Sequence, residues 1–224
     1  MDGYVEIWEK FVTERRLEFG GHTDPSWTNG HTLSASLMIP VDAAKLRNRL
    51  EPPRDALRSF PFVSPHPDHF IHITLFLLGF VVPEPHEDDE VAPERLAEIE
   101  VAARRALADF PAFGVTLSNL NVFPAAAFIE VHDSGMLEKL RDALRGECGL
   151  REPPGPPHLT LAYFQPEEEI PAPPELVSTL ERFRDWPVGE IPVGEVDLTL
   201  LDLRQSYPKP EPLARIPLAG SRLK

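Results

Sequence analysis

Cysteine is almost missing from this chain: Cys148 is the only one in 224 residues. A single thiol allows no internal disulfide, which suits a reducing compartment. Cys148 itself reads as an ordinary thiol near a helix end. Long apolar runs are missing too. None approaches the roughly 18 residues of a membrane span, and the start, Met1-Asp2-Gly3-Tyr4-Val5-Glu6, has neither a basic nor an apolar leader region. The expectation is a soluble, cytoplasmic protein with no membrane partner. Positive charge is scarce, with 22 Lys and Arg against 36 Asp and Glu, a formal net charge of −14. That argues against a broad grip on a long nucleic-acid backbone, DNA included, which needs clustered basic residues. A small nucleotide or an RNA end entering a locally positive cleft remains compatible with it.

What is present is a globular composition, 42% hydrophobic and 26% charged, with 26 prolines. The prolines gather at 52–53, 61–67, 83–93, 153–157, 166–174 and 208–217, as stiff connectors between elements. Apolar spacing predicts helices over 4–17, 42–50 (ended by Pro52-Pro53), from Pro93 to about 110, 134–145 with Ser134 as cap, and 175–184. Alternation predicts strands over 33–39, 69–79, 113–122, 126–132, 158–164, 190–203 and 213–218. Residues 18–32 read as loop, and 84–90 as a solvated acidic turn.

Two stretches stand out. His72-Ile73-Thr74-Leu75 and His158-Leu159-Thr160-Leu161 each lie in an apolar, β-favouring run. A strand alternates its faces, so His72 and Thr74 share one face, as do His158 and Thr160, with apolar residues behind. On the same alternation Phe76 and Phe164 fall on the histidine face, while Tyr163 faces the helices. Each motif strand ends the same unit of strand, helix and Pro-rich loop. The two units predict two similar lobes facing each other across a cleft, with residues 1–32 as an N-terminal extension packed on a single domain of 33–224.

Two histidines on either side of one reacting centre can run concerted acid–base chemistry near neutral pH without a metal. Threonine hydroxyls on the same face can bond the non-bridging oxygens of a phosphodiester. Other groups invite metal readings with less support. His22 and His31 lie nine apart without a known ligand spacing, and His66, His69 and His72 share no face in an extended run. Phe123, in a turn, could stack a base. Arg204 reads as a surface charge.

His72-Ile-Thr-Leu-Phe-Leu-Leu-Gly79, Pro157-His-Leu-Thr-Leu-Ala162, Asn121-Val-Phe-Pro124 and Ala35-Ser-Leu-Met-Ile-Pro40 resemble the strands and turn of the two-histidine (2H) phosphoesterases, in their LigT-like branch of 2′-5′ RNA ligases and RNA 2′,3′-cyclic phosphodiesterases. The resemblance implies an α+β, bilobal fold with pseudo-two-fold symmetry, a small antiparallel sheet and outer helices in each lobe, and a central cleft. It implies hydrolysis of 2′,3′-cyclic phosphates on an RNA end or nucleotide, 2′-5′ RNA ligation in some members, and no metal or organic cofactor. By position it makes His72 and His158 the catalytic pair and Thr74 and Thr160 the phosphate-binding pair, in a protein expected to be a monomer. Tyr163 stands where many members carry arginine. The alternatives are a nucleotide- or phosphate-binding module without turnover, and a phosphodiesterase of another small cyclic diester such as ADP-ribose cyclic phosphate.

Overall fold

The computed structural model describes residues 3–153 and 155–220, leaving Pro154 of the Pro-rich lead-in and the two chain ends outside the description. In chain order the elements are α1 (Gly3–Glu14), β1 (Arg16–Leu17), α2 (Pro25–Thr28), β2 (Leu33–Pro40), α3 (Ala43–Arg58), β3 (Val63–Pro65), β4 (His72–Val81), β5 (Glu90–Val91) and α4 (Pro93–Leu107). There follow β6 (Phe113–Phe123), β7 (Ala126–His132), α5 (Met136–Cys148), β8 (His158–Phe164), β9 (Ile170–Pro171), α6 (Pro174–Glu181), β10 (Pro187–Val193), β11 (Glu195–Asp202) and β12 (Glu211–Pro217). No described helix is long and apolar enough to cross a membrane.

Ten strands form one mixed sheet along the path β10-β6-β7-β8-β4-β2-β11-β12, with β3 on β8 and β5 on β4. The path is two antiparallel halves, β4-β2-β11-β12 and β8-β7-β6-β10, joined at the two motif strands by the pair Ile73 and Leu159. Pseudo-symmetry follows the repeat: β4 matches β8, β2 matches β7, β11 matches β6. The helices are exchanged between the halves. Helix α3, which follows β2, packs on β8 and β10, whereas α5, which follows β7, packs on α4, itself against β12. Leu50 and Leu57 of α3, Ile99 and Leu107 of α4 and Leu140 and Leu144 of α5 close the core behind the sheet with Ile73, Leu75, Leu159 and Leu161.

Several local expectations are corrected. Helix α3 runs through Pro52 and Pro53 to Arg58. Proline at 53 removes the donor that Arg49 would have met four residues back, and the Trp186 indole N–H donates to that carbonyl instead, at 2.8 Å. The N-cap position of α5 is Gly135, and the carboxylate that accepts from its first amides, Met136 and, at 2.8 Å, Leu137, is that of Asp133 rather than the hydroxyl of Ser134. The run 190–203 is two strands, broken at Gly194, that pair at opposite ends of the sheet. The acidic turn is solvated as expected, with residues 84–89 exposed, and Glu90 anchors it by accepting from the amides of His86 and Glu87 and from His31.

Both motif strands carry a bulge just after the threonine. Opposite Leu37 and Met38, β4 places Phe76 and Thr74, so Leu75 is the extra residue. Opposite Ala127 and Phe128, β8 places Ala162 and Thr160, so Leu161 is extra. A bulge reverses the alternation beyond it. Phe76 and Phe164 therefore turn into the main core, against the expectation that they share the histidine face. Tyr163 turns the other way, onto the concave face, where it meets His66 and Tyr207.

Gly79 lies at a second irregularity of β4, at φ +124°, where an added Cβ would stand 2.4 Å from the Asp89 carbonyl oxygen. Gly79→Ala should therefore cost about 1–3 kcal/mol of stability. A chemical-denaturation curve measures it, and a midpoint equal to wild type would refute it.

Candidate active site

The pair Ile73–Leu159 fixes where the motif side chains lie. Antiparallel register carried one residue each way sets His72 opposite Thr160 and Thr74 opposite His158. Ile73 and Leu159 are fully buried on the core side, so the other four residues all point to the concave face. Directly opposed residues have Cβ atoms about 5 Å apart, and the diagonal between the two histidines is about 7–8 Å or less. The result is a four-cornered site with histidine and threonine alternating around a local two-fold. All four residues are half-buried.

The two imidazoles are held alike. Nδ1 of His72 lies 2.8 Å from the Phe70 carbonyl oxygen, and Nδ1 of His158 lies 3.1 Å from that of Pro156. A carbonyl only accepts, so each Nδ1 carries the hydrogen and each Nε2 is left as an acceptor. Burial pushes His72 down to about 4, with the nearby charges of His158 and His22 adding to the effect and the Phe70 carbonyl opposing it. Burial also lowers His158, with Arg141 adding to it and the Pro156 carbonyl opposing. Burial thus favours the neutral form of both rings at pH 7.

Their surroundings differ. His158 meets Phe123 edge-on at 5.1 Å and Phe128 at 5.1 Å, while Phe123 stacks on Phe128 at 4.4 Å. Opposite His158 on β7 is Glu130, almost fully buried. Its carboxylate accepts from Asn119, Asn121 and Arg184 at 2.7–2.9 Å and meets His132 at 3.1 Å. Around His72 the neighbours are aromatic. Phe70 touches the rings of His22, His66 and His72 at 4.9, 5.0 and 5.4 Å. His66 is buried, and neither of its nitrogens makes a well-formed hydrogen bond. His69 instead meets the Tyr207 carbonyl. Among the described residues no group of three or more His, Cys, Asp or Glu is placed to hold a metal ion.

The N-terminal segment builds part of this site. The Tyr4 hydroxyl contacts the carbonyls of Val131 and Pro157, the latter next to His158, and Asn121 donates to the Tyr4 carbonyl. Trp8 lies under the Arg184 guanidinium at 4.7 Å. Since Asn121 and Phe128 lie on the histidine face, α1 covers the concave face of the second half. Farther along, His22 bonds the Gln205 carbonyl, and His31 stacks on Phe80 at 4.3 Å and pairs with Glu90 at 2.8 Å. Sequence reading weighed His22 and His66 only as metal ligands and missed Tyr4 and Glu130 as neighbours of the site. Of the latter two, Glu130 had a signal, a carboxylate inside the apolar strand Ala126–His132.

A sequence model of the 2′-5′ RNA ligase superfamily matches residues 42–204. Among solved structures, TT0787 of Thermus thermophilus aligns with a TM-score of 0.59 at 22% identity, covering 84% of this chain and all of that one. E. coli LigT in its apo form aligns at 0.58 and 20% identity, covering 84% and 99%. LigT complexed with 3′-AMP gives the same score and identity over 84% and 98%. These structural likenesses are likenesses of fold. No curated protein matches the sequence.

Proposed function

Since the chain belongs to the 2′-5′ RNA ligase superfamily, we propose that it is a metal-independent phosphodiesterase that opens 2′,3′-cyclic phosphates, on a nucleotide or an RNA end, to phosphomonoesters. The observation that carries this is the register that alternates His72, Thr160, His158 and Thr74 around one point on the concave face. A tetrahedral phosphate centred there meets a working Nε2 on each side. One imidazole removes the proton of the attacking water; the other protonates the departing ribose oxygen. The threonine hydroxyls donate to the non-bridging oxygens, where charge gathers as water adds to phosphorus. With the 5′-hydroxyl of a second RNA end in place of water, the same ring opening would join the two ends: the 5′ oxygen bonds phosphorus, the 3′ oxygen leaves as a protonated hydroxyl, and a 2′-5′ bond remains. Phe123, braced against His158, borders the phosphate position from the second half. The LigT complexes with 3′-AMP and with ATP are consistent with nucleotides as ligands of such a cleft.

The test is direct. Purified protein should hydrolyse 2′,3′-cyclic nucleotides to 2′- or 3′-monophosphates, with the same rate in EDTA. No turnover of any cyclic nucleotide would refute the reading, and so would a requirement for added metal. The mechanism also needs one imidazole neutral and one protonated. Burial holds both below the ordinary value of 6.5 in the free protein. The bell of kcat/KM, which reports the free enzyme, should therefore peak on the acid side of pH 6.5, with its acid limb approaching about 4, the value for His72. A bound phosphate anion favours the protonated rings, so the kcat profile should lie at higher pH. A kcat/KM maximum above pH 7 would contradict the burial of the pair.

A further inference from the structure

We propose that the first half's wing of the concave face is a base-reading subsite, in which Asp197 accepts hydrogen bonds from N–H groups on the edge of a nucleobase, guanine above all. The inference rests on the reading that the histidine pair holds a nucleotide phosphate, and adds which end of the cleft takes the base and by what chemistry.

Register places Asp197 in line with the reacting centre. His158 stands opposite Thr74 by extension of the central pair, Thr74 opposite Met38, and Met38 opposite Asp197, one row across β8, β4, β2 and β11. Thr74 and Asp197 are two strand spacings apart, about 10 Å, roughly the reach from a ribose phosphate to the hydrogen-bonding edge of its base. In the next row Leu77, 56% exposed, lies opposite Ser36, which lies opposite Thr199.

Three buried polar atoms of this wing have no hydrogen-bond partner. Asp197 is 8% exposed, yet its Oδ1 is buried without a hydrogen bond, as are Ser36 Oγ and Thr199 Oγ1. A buried carboxylate oxygen left unpaired is costly, and such orphans mark places where a partner is to come. The matching wing of the second half is closed. There the two-fold sets Phe128 in the place of Met38 and Asn121 in that of Asp197. The Asn121 amide is already spent on Glu130 and on the Tyr4 carbonyl of α1. One wing is filled by the N-terminal helix; the other keeps an acceptor without a donor. Burial and the charge of Glu195 hold the Asp197 carboxyl near 6, with Arg215 opposing, the signature of a desolvated acceptor.

An ionised carboxylate only accepts. Guanine presents two adjacent donors, N1–H and the N2 amino group, that match its two oxygens. Cytosine and adenine present an amino group beside an acceptor, and uracil presents one N–H between two acceptors.

The experiment is calorimetric titration of wild type and Asp197→Asn with 3′-GMP, 3′-AMP, 3′-CMP, 3′-UMP and inorganic phosphate, beside turnover of the four cyclic nucleotides. Wild type should bind 3′-GMP roughly tenfold or more tightly than 3′-UMP. Asp197→Asn should lose most of that preference while binding inorganic phosphate as before. Because it removes an unpaired buried charge, its melting temperature should equal or exceed that of wild type. Affinities for the four nucleotides within about threefold of each other in wild type overturn the subsite. Equal weakening of every ligand, phosphate included, does so too. If base-selective binding depends on Asp197 but no cyclic nucleotide is turned over, the subsite stands and the phosphodiesterase reading fails. Turnover without base preference gives the reverse.

Discussion

Replacing either His72 or His158 by alanine should lower the turnover of 2′,3′-cyclic nucleotides by about 10²–10⁴-fold, the usual share of a positioned acid or base. The two losses should be of similar size, because the two rings are held alike. Each has Nδ1 tied to a carbonyl two residues upstream and Nε2 free, and each faces the threonine of the other motif. The double variant should be little worse than the worse single one, as groups that act as a unit are not additive. Thr74→Val and Thr160→Val remove donors to the phosphate and should each lower kcat by up to about 10²–10³-fold. The folded state should survive all of these, since each imidazole makes only one hydrogen bond to the chain and the β-branched shape is kept at each threonine. Full activity in both alanine variants would end the two-histidine mechanism. Nucleotide binding that persists with no turnover, in wild type as in the variants, would leave a binding module.

The two motif strands, their repeated context and the sharing of a face by His72 with Thr74 and His158 with Thr160 were legible in the sequence, because period-two alternation is a local property. Alternation failed one residue later in both strands, and for one reason. Whether Leu75 or Leu161 is an extra residue depends on the partner strand, β2 or β7, far away in the chain. That single feature sends Phe76 and Phe164 into the core and Tyr163 out of it. The continuation of α3 through two prolines was illegible for a similar reason: the group that satisfies the Arg49 carbonyl is Trp186. The role of the first 32 residues needed contacts that no pattern announces, such as Tyr4 with Pro157 and Asn121. Asp197 looked like any acidic residue in an alternating strand until register set it in the row of Thr74.

Acidification should destabilise the protein before most of its carboxylates titrate. His22, His66, His72 and His158 are all held below the ordinary histidine value of 6.5, with burial the largest cause in each case. The unfolded chain regains that ordinary value. Between 6.5 and each folded value, the unfolded state therefore binds protons that the native state refuses, and stability falls as pH falls. A fully buried histidine contributes a slope of up to about 1.4 kcal/mol per pH unit in that window. His66 should come nearest to this limit, being buried among Phe70, Tyr163 and Tyr207; the half-buried His72 and His158 should contribute less. Two groups run the other way. His31, raised by its bond to Glu90, stabilises the fold once protonated, and so does Asp197, whose proton is held up to about 6. Four lowered histidines outweigh these two, so the urea midpoint should drop between pH 7.5 and 5.5. His66→Phe keeps a ring in the same aromatic cluster and removes the titration. It should flatten the acid loss and be more stable than wild type at pH 5.5, while differing less at pH 7.5. A wild-type midpoint that holds or rises over this range would refute the argument, as would an unchanged slope in His66→Phe. A ligand at the histidine pair changes the balance, because a phosphate anion favours the protonated forms of His72 and His158. Saturating inorganic phosphate should therefore restore more stability at pH 5.5 than at pH 7.5, and should do so in His66→Phe as well, since that substitution leaves the pair intact.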